Sequence, residues 1–451
     1  MRVSELEGAR VGLWGAGREA AAAFRALTAP AEVVVATDAP ADEAARARFP
    51  GARFVAGREA VDALRGCDVV VRSPGISRYR DDVAAVRDAG VALTTGTNLW
   101  MAEHAGERVV AITGTKGKST TASLVHRLAV AAGARAELAG NIGRPLLDLL
   151  HVEEAPDLWV LELSSYQTAD LDRAPTVAAV VNLFREHLDW HGSEERYFAD
   201  KLRLLELEPQ IAVLNGRDKR LLALAPPAER VPRRLFGVPG GFDVSPDGEV
   251  VVGPAGAAEL ELSGTNLIGE HNALNVAAAL AIADAAGALP ADSAGALAWF
   301  QPLPHRLERV AVDGGLTFVD DSISTTPESA VAALQAVGDV AVALLAGGQD
   351  REQDYTPLAD AVARDGRVRA VICLPDNGGR VAEALRDRGA GVPIVMADTL
   401  EEAVHAARAA LADDLSGTVL LSPAAPSYGR FADFTERGAR FRAAAEAVAR
   451  G

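Results

Sequence analysis

The run Gly114-Thr115-Lys116-Gly117-Lys118-Ser119-Thr120 holds the densest chemistry in this sequence. Gly114 and Gly117 allow a tight turn that points backbone N–H groups at an anion. Lys118 is placed to reach the β- and γ-phosphates of a nucleotide, and the Ser119 hydroxyl to bind Mg²⁺. The usual phosphate loop has four residues between its glycines, and this one has two. A glycine-rich strand-to-helix turn with a surface lysine is the bland alternative.

Other residues offer complementary chemistry. Glu162 ends the apolar run that begins at Trp159, where it is either a strand-end ligand for Mg²⁺ or a solvated edge residue. Arg185-Glu186-His187-Leu188-Asp189-Trp190-His191 follows another apolar run. It reads either as a polar loop with a capping aspartate or as a second divalent site with His187 the better-placed ligand. Lys201 reads, on spacing alone, as a solvated helix lysine. Asn272 and Asn275 share a helix face and are either caps or amide readers of a base. Gly15-Ala16-Gly17, with Asp38 about twenty residues on, resembles a dinucleotide fingerprint. Taken alone it fits an ordinary tight turn, a nicotinamide site or another nucleotide's diphosphate. Ser73-Pro74-Gly75 ends a third apolar run and converges on the same edge.

The elements that must hold these residues are those of an α/β protein. Val109 to Ile112 predicts a buried parallel strand, and Val125, Leu128, Ala129 and Ala132 recur at helical spacing up to a capping Gly133. Val11–Trp14, Val33–Ala36 and Val69–Val71 predict strands of a first unit over 1–104. Trp159–Leu163, Val177–Phe184 and Ile211–Leu214 predict strands of a second over 105–301, with turns and short strands between 226 and 262. Pro302 to Arg309 reads as a linker into a third unit over 302–451, where strands end at Asp320, Gly347 and Ser422. The fold class is therefore α/β with three domains: N-terminal Rossmann-like, a central parallel sheet like that of phosphate-loop ATPases, and C-terminal Rossmann-like.

A chain of 451 residues suits about three domains. A net charge of −17 argues against nucleic acid or an anionic membrane as partner. Two cysteines, Cys67 and Cys373, exclude a disulfide framework or cysteine zinc site and suit a reducing cytosol. No apolar run approaches the roughly 20 residues of a membrane span.

Gly-Thr-Lys-Gly-Lys-Ser-Thr, Gly140-Asn141-Ile142-Gly143, Leu161-Glu-Leu-Ser-Ser-Tyr-Gln167, Gly269-Glu-His-Asn272, Leu303-Pro-His-Arg306 and Leu421-Ser-Pro-Ala424 occur in order. This combination resembles the Mur ligase family over the whole chain. The resemblance implies a cytoplasmic, ATP-dependent ligase of peptidoglycan precursor synthesis, acting as a monomer, that adds glutamate to UDP-N-acetylmuramoyl-L-alanine. It implies that Gly17, Asp38 and Ser73 hold the UDP end, that Asn141 contacts the muramoyl group, and that Gly114 to Thr120 cradle ATP. Asn272, Arg306 and Asp321 would serve the nucleotide. Ser119 and Glu162 would hold one Mg²⁺, and His187 a second, assisted by a carbamylated Lys201, which overrides the surface reading of that lysine. Thr325, Arg351, Ser427 and Phe434 would bind glutamate.

The departures from the family pattern cluster where the amino acid binds. Ile323 and Thr326 replace a lysine and an asparagine, Arg351 replaces a lysine, and Ser427-Tyr428-Gly429-Arg430 replaces an Asp- and Gln-containing tail. Repositioned cations are what a change of handedness would need. The resemblance is therefore to the smaller L-glutamate-adding group, served by a separate epimerase, with D-glutamate as the alternative. A folate-type glutamate ligase, a nicotinamide oxidoreductase and a non-catalytic nucleotide-binding regulator are the other readings.

Overall fold

The structure, a computed structural model, describes residues 1–450 except 143, 247, 249, 255–259, 263–266, 268, 299, 301–303 and 352. The chain forms two compact units, 1–261 with 274–298, and 262–273 with 299–451.

The first unit holds two parallel sheets. One contains β1 (Arg10–Trp14), β2 (Glu32–Thr37), β3 (Arg53–Ala56), β4 (Val69–Arg72) and β5 (Ala92–Thr94), in the order β3-β2-β1-β4-β5. The order reverses between β1 and β4, the switch point at whose carboxyl end ligands of open sheets bind. The other sheet contains β6 (Val109–Thr113), β7 (Ala136–Gly140), β8 (Leu158–Glu162), β9 (Val177–Val180), β10 (Ile211–Asn215) and β11 (Arg233–Phe236), in the order β11-β10-β9-β6-β8-β7. β6 is central and every residue of it is buried, which is why its sequence is an unbroken apolar run. The strands β12 (Asp243–Val244), β13 (Val250–Val252) and β14 (Leu260–Glu261) form a small antiparallel sheet. One apolar core runs through both parallel sheets, from Val11, Leu13 and Trp100 to Leu146, Trp159 and Leu161.

The second unit is built on β15 (Glu308–Asp313), β16 (Leu316–Asp320), β17 (Ala341–Ala346), β18 (Val368–Cys373), β19 (Ile394–Met396) and β20 (Gly417–Leu421), in the order β15-β16-β20-β17-β18-β19. β15 pairs antiparallel with β16, and the other pairs are parallel. Separate apolar clusters cover the two faces, one around Phe318 and Phe441, the other around Val342 and Leu358. Glu308 and Arg309, expected in a linker, are strand residues. Pro302 and Leu303 of that linker, and Gly143 of the Gly-Asn-Ile-Gly motif, lie outside the described residues.

Two local expectations need correction. Val181 to Phe184 are not strand, because this segment turns off β9 to hydrogen-bond the glycine-lysine loop. Ala132 is exposed, since the helix Lys118–Ala131 ends before it, while Val125, Leu128 and Ala129 are buried. Gly133 is left-handed at φ 88°, and Ala134 N donates back to Ala129 O (3.0 Å), closing the helix end.

Candidate active site

The loop between β6 and the helix Lys118–Ala131 is shaped by its two glycines. Gly114 has φ 154°, and a Cβ there would lie 2.3 Å from Val181 Cγ2. Gly117 has φ 79°, and a Cβ there would lie 2.3 Å from Asn275 Oδ1. No other residue fits either position without displacing its neighbour. The helix's own ladder begins at Thr121 N to Gly117 O (2.9 Å), so the amides of its first turn stand at the positive dipole end.

Thr115 and Lys116 are tied to Asn182. Their amides both donate to Asn182 Oδ1 (2.9 Å each), and Asn182 Nδ2 donates back to Lys116 O (3.0 Å). Thr115 Oγ1 meets Tyr197 OH (2.8 Å), and Lys116 Nζ donates to Glu186 Oε1 (2.6 Å). These contacts brace the loop from within the protein. Asn182 carried no sequence signal; only its position after an apolar strand could have flagged it.

Around this loop stand the predicted metal ligands. Glu162 is buried at the end of β8, beside β6, and Oε1 accepts from Asn141 Nδ2 (3.1 Å). Gly140 passes over Glu162 so closely that a Cβ would lie 2.3 Å from the Glu162 carbonyl oxygen. Glu162 Oε2 is buried with no hydrogen-bond partner among the described residues. A bare buried carboxylate oxygen is costly, and a hard divalent cation satisfies it, so the donor set fits Mg²⁺.

His187 has a left-handed backbone (φ 56°), unusual for a side chain with a Cβ. Tyr166 OH lies 3.0 Å from its Nδ1, and its Nε2 lies 3.6 Å from Glu186 Oε2. Burial first, then the charges of Lys201 and Lys118, lower its pKa against the pull of Glu186. The neutral ring is the form that ligates metal.

Lys201 is only 1% exposed, contrary to the reading from spacing alone. Its Nζ donates to Gly114 O (2.7 Å), directly under the phosphate loop. Burial, then Lys118, pushes its amine well below the ordinary lysine range, and Glu186 and Glu162 act on it as well. Lys118, Glu162, His187 and Lys201 thus converge. The neighbouring His191 is buried and internally paired, with Nδ1 2.6 Å from Asp200 Oδ2 and Nε2 3.0 Å from Ser165 Oγ.

The first sheet gathers the predicted UDP contacts on one edge. A Cβ on Gly15 (φ 109°) would lie 2.6 Å from Ser73 Oγ. That hydroxyl is buried and without a partner among the described residues. Gly17 caps the helix Arg18–Ala26, with open space where a Cβ would go. Asp38 is not a bare acceptor: Arg80 holds both its oxygens (2.8 and 2.9 Å) and lowers its pKa.

Asn275 packs against Gly117, while Asn272, three residues upstream and also buried, belongs to the second unit. There Asp321 follows β16, is buried, and accepts from Ser324 Oγ (2.5 Å), Ser422 Oγ (2.8 Å) and Leu307 N (3.3 Å). Burial nonetheless raises its pKa to about 6. Arg306 acts on it electrostatically and keeps a buried Nε without a partner among the described residues.

The expected glutamate set is only partly gathered. Ser427 lines a cavity of about 230 Å³ with Gly347, Gly348, Arg430, Arg437 and Arg440. Thr325, Arg351 and Phe434 do not line it. The Thr325 carbonyl accepts from Gln353 Nε2 (2.7 Å), Arg351 is exposed near the Tyr428 ring, and the Phe434 ring faces His305. Phe434 opens the helix Phe434–Arg450, and its carbonyl accepts from Ser322 Oγ (2.8 Å), which fixes it there. Of the arginines lining the cavity, Arg430 stood in the departing tail of the sequence, while Arg437 and Arg440 of that helix carried no signal. Arg437 is fully buried, bonded to Ser322 and Ala425, and burial lowers its pKa to about 10.

Residues 112–283 match the Mur ligase middle domain, and 305–425 match the Mur ligase glutamate ligase domain. The UDP-N-acetylmuramoyl-L-alanine–L-glutamate ligase of Xanthomonas axonopodis pv. citri is 43% identical, over 98% of this chain and 96% of its own. The chain belongs to the Mur ligase family. A Micromonospora protein of the same name is also 43% identical, over 99% of this chain and 98% of that one. Among solved structures, Thermotoga maritima MurF ligase in complex with ADP superposes with a TM-score of 0.60 at 17% identity, covering 100% of this chain and 97% of that one. Thermotoga maritima UDP-N-acetylmuramate–alanine ligase MurC gives 0.58 at 16%, covering 98% and 100%. At such identity these two likenesses concern the Mur ligase fold alone.

Proposed function

We propose that this chain joins L-glutamate to UDP-N-acetylmuramoyl-L-alanine, with release of ADP and phosphate, in peptidoglycan precursor synthesis. The observation that carries this reading is the convergence of Lys118, the bare Glu162 oxygen, neutral His187 and desolvated Lys201 around one phosphate loop. Full-length likeness to proteins named as L-glutamate ligases supports the acceptor and the hand of the amino acid.

In this reading the alanyl carboxylate oxygen attacks the γ-phosphorus, ADP leaves, and an acyl phosphate forms. The glutamate nitrogen then attacks the acyl carbon, phosphate leaves, and the nitrogen loses its proton. Two anions approach in the first step, and Lys118 with the first-turn amides offsets their repulsion. Mg²⁺ bound by Ser119 and Glu162, and by His187 with Lys201, supplies further positive charge there. Lys201 would act as a carbamate: its deprotonated amine adds to CO₂, a proton goes to solvent, and the resulting carboxylate would help hold the cation. Gly17, Ser73 and the Asp38–Arg80 pair hold the UDP end, and Asn141 the muramoyl group. Asn272, Arg306 and Asp321 serve the nucleotide.

Of the expected glutamate set, Ser427 receives the amino acid, beside Arg430, Arg437 and Arg440, in a chain divided into three domains at 1–104, 105–301 and 302–451. A separate epimerase would then act on the product. No helix among the described residues is long and apolar enough to cross a membrane, in keeping with a cytoplasmic enzyme. The purified chain, given ATP, Mg²⁺ and UDP-N-acetylmuramoyl-L-alanine, should release phosphate and form amide with L-glutamate. Turnover with D-glutamate alone refutes the handedness, and turnover with neither refutes the reaction.

A further inference from the structure

Residues 73–80, the loop after β4, make contacts that the chemistry above does not use. One end carries Ser73, whose hydroxyl is buried against Gly15. The other end carries Arg80, which grips Asp38. Between these two UDP-side positions the loop is fastened to the segments that bear His187 and Lys201. Trp190 Nε1 donates to Pro74 O (3.0 Å), and Ser77 Oγ donates to Trp190 O (2.6 Å). Arg78 donates to Ala169 O and lies 3.4 Å from Asp170 Oδ1, an aspartate also held by buried Arg72. Tyr79 OH donates to Asp200 Oδ1 (2.8 Å).

Each anchor sits close in sequence to a proposed metal ligand. Trp190 and His191 follow His187 by three and four residues, and Asp200 immediately precedes Lys201. The second Asp200 oxygen meets His191 Nδ1, and His191 Nε2 meets Ser165 Oγ, three residues past Glu162. Tyr166 stacks on Trp190 with ring centroids 4.7 Å apart, and its hydroxyl meets His187 Nδ1. The chain Tyr79–Asp200–His191–Ser165 is therefore continuous, and its last three members are buried. Among the described residues it reaches the nucleotide loop through Tyr197, whose ring centroid lies 5.1 Å from that of His191 and whose hydroxyl meets Thr115 Oγ1 (2.8 Å). A displacement of the 73–80 loop is passed on because each link is hydrogen-bonded and close-packed.

We propose that the 73–80 loop is a positioning element, through which the UDP end of the acceptor sets the seating of His187 and Lys201. Tyr79, Asp200 and His191 are its positioning residues. The proposal rests on the ligase reading for the identity of the acceptor. Two sites joined in this way must be coupled reciprocally: acceptor binding alters the affinity for nucleotide with Mg²⁺, and the reverse.

The test is an equilibrium one, on the full chain. A non-hydrolysable ATP analogue with Mg²⁺ is titrated calorimetrically, with and without saturating UDP-N-acetylmuramoyl-L-alanine. In the wild type the acceptor should change nucleotide affinity by about fivefold or more. Tyr79→Phe removes one hydroxyl and should bring that factor to within about twofold of unity, with nucleotide affinity in the absence of acceptor and the melting temperature unchanged. Asp200→Asn keeps an oxygen for Tyr79 and should retain part of the coupling. Equal factors in wild type and Tyr79→Phe overturn the proposal, as does a factor of one in the wild type. A coupling lost only together with a fall in melting temperature also overturns it, in favour of a purely structural role. A wild type that binds no acceptor overturns the ligase reading and the coupling with it; acceptor binding without coupling overturns the coupling alone.

Discussion

Gly117 and Asn275 lie 158 positions apart in sequence, yet a methyl group on one would collide with the other. Gly117→Ala meets two separable penalties. The backbone at φ 79° is left-handed, which costs a residue with a Cβ about 1–2 kcal/mol. The added Cβ would also sit 2.3 Å from Asn275 Oδ1, far inside van der Waals contact. Relieving such overpacking costs about 1–3 kcal/mol more. To escape this sum, about 2–5 kcal/mol, the variant loop leaves its anion-binding shape, and regaining that shape on binding lowers ATP affinity by up to about 30-fold to several thousand-fold. Asn275→Ala alone forfeits the contact with Thr121 Oγ1 (3.4 Å), among others, and should cost less than Gly117→Ala does. The double variant has room for the methyl but keeps the left-handed backbone, so its loss should shrink to about 5–30-fold. Calorimetric titration of Mg²⁺-ATP into the four proteins measures the cycle. A double variant as weak as Gly117→Ala, or a Gly117→Ala protein that binds like wild type, refutes the reasoning.

Lys201→Ala should lower turnover by about 100-fold or more while ATP affinity stays within a few-fold, and added bicarbonate should not restore it. Near-normal turnover would return Lys201 to a packing role. His305 concerns pH: its hydrogen bond to Asp320 (2.7 Å) raises the imidazole pKa above the ordinary value. A raised folded-state value means stability that is fully present below the unfolded pKa of about 6.5 and lost as pH rises through the folded one. Thermal melting of wild type and His305→Gln should therefore differ most near pH 6 and converge in mild alkali, and a constant gap would contradict it.

The sequence by itself determined the phosphate loop. Gly114, Gly117, Lys118 and Ser119 fall between a β-branched apolar run and a helical pattern, and that information lies within some twenty consecutive residues. That Glu162 ends an apolar strand and that His187 follows one was legible for the same reason. β3, β5 and β7 were not, because their short runs are only part-buried and show no unbroken apolar stretch. Whether Thr115 and Lys116 present amides to an anion depended on Asn182, more than sixty residues away, taking those amides first. On spacing alone Lys201 looks like any helix-surface lysine, and the fold sets its amine under Gly114 O, 87 residues away. Tyr79 and Asp200 carry no local signature, and only packing of the two parallel sheets joins them to His191. Periodicity and turn chemistry act over a few residues and can be read in order along the chain. Burial, and the pKa shifts and hydrogen-bond partners that follow from it, come from segments far apart in sequence, so tertiary structure alone decided them.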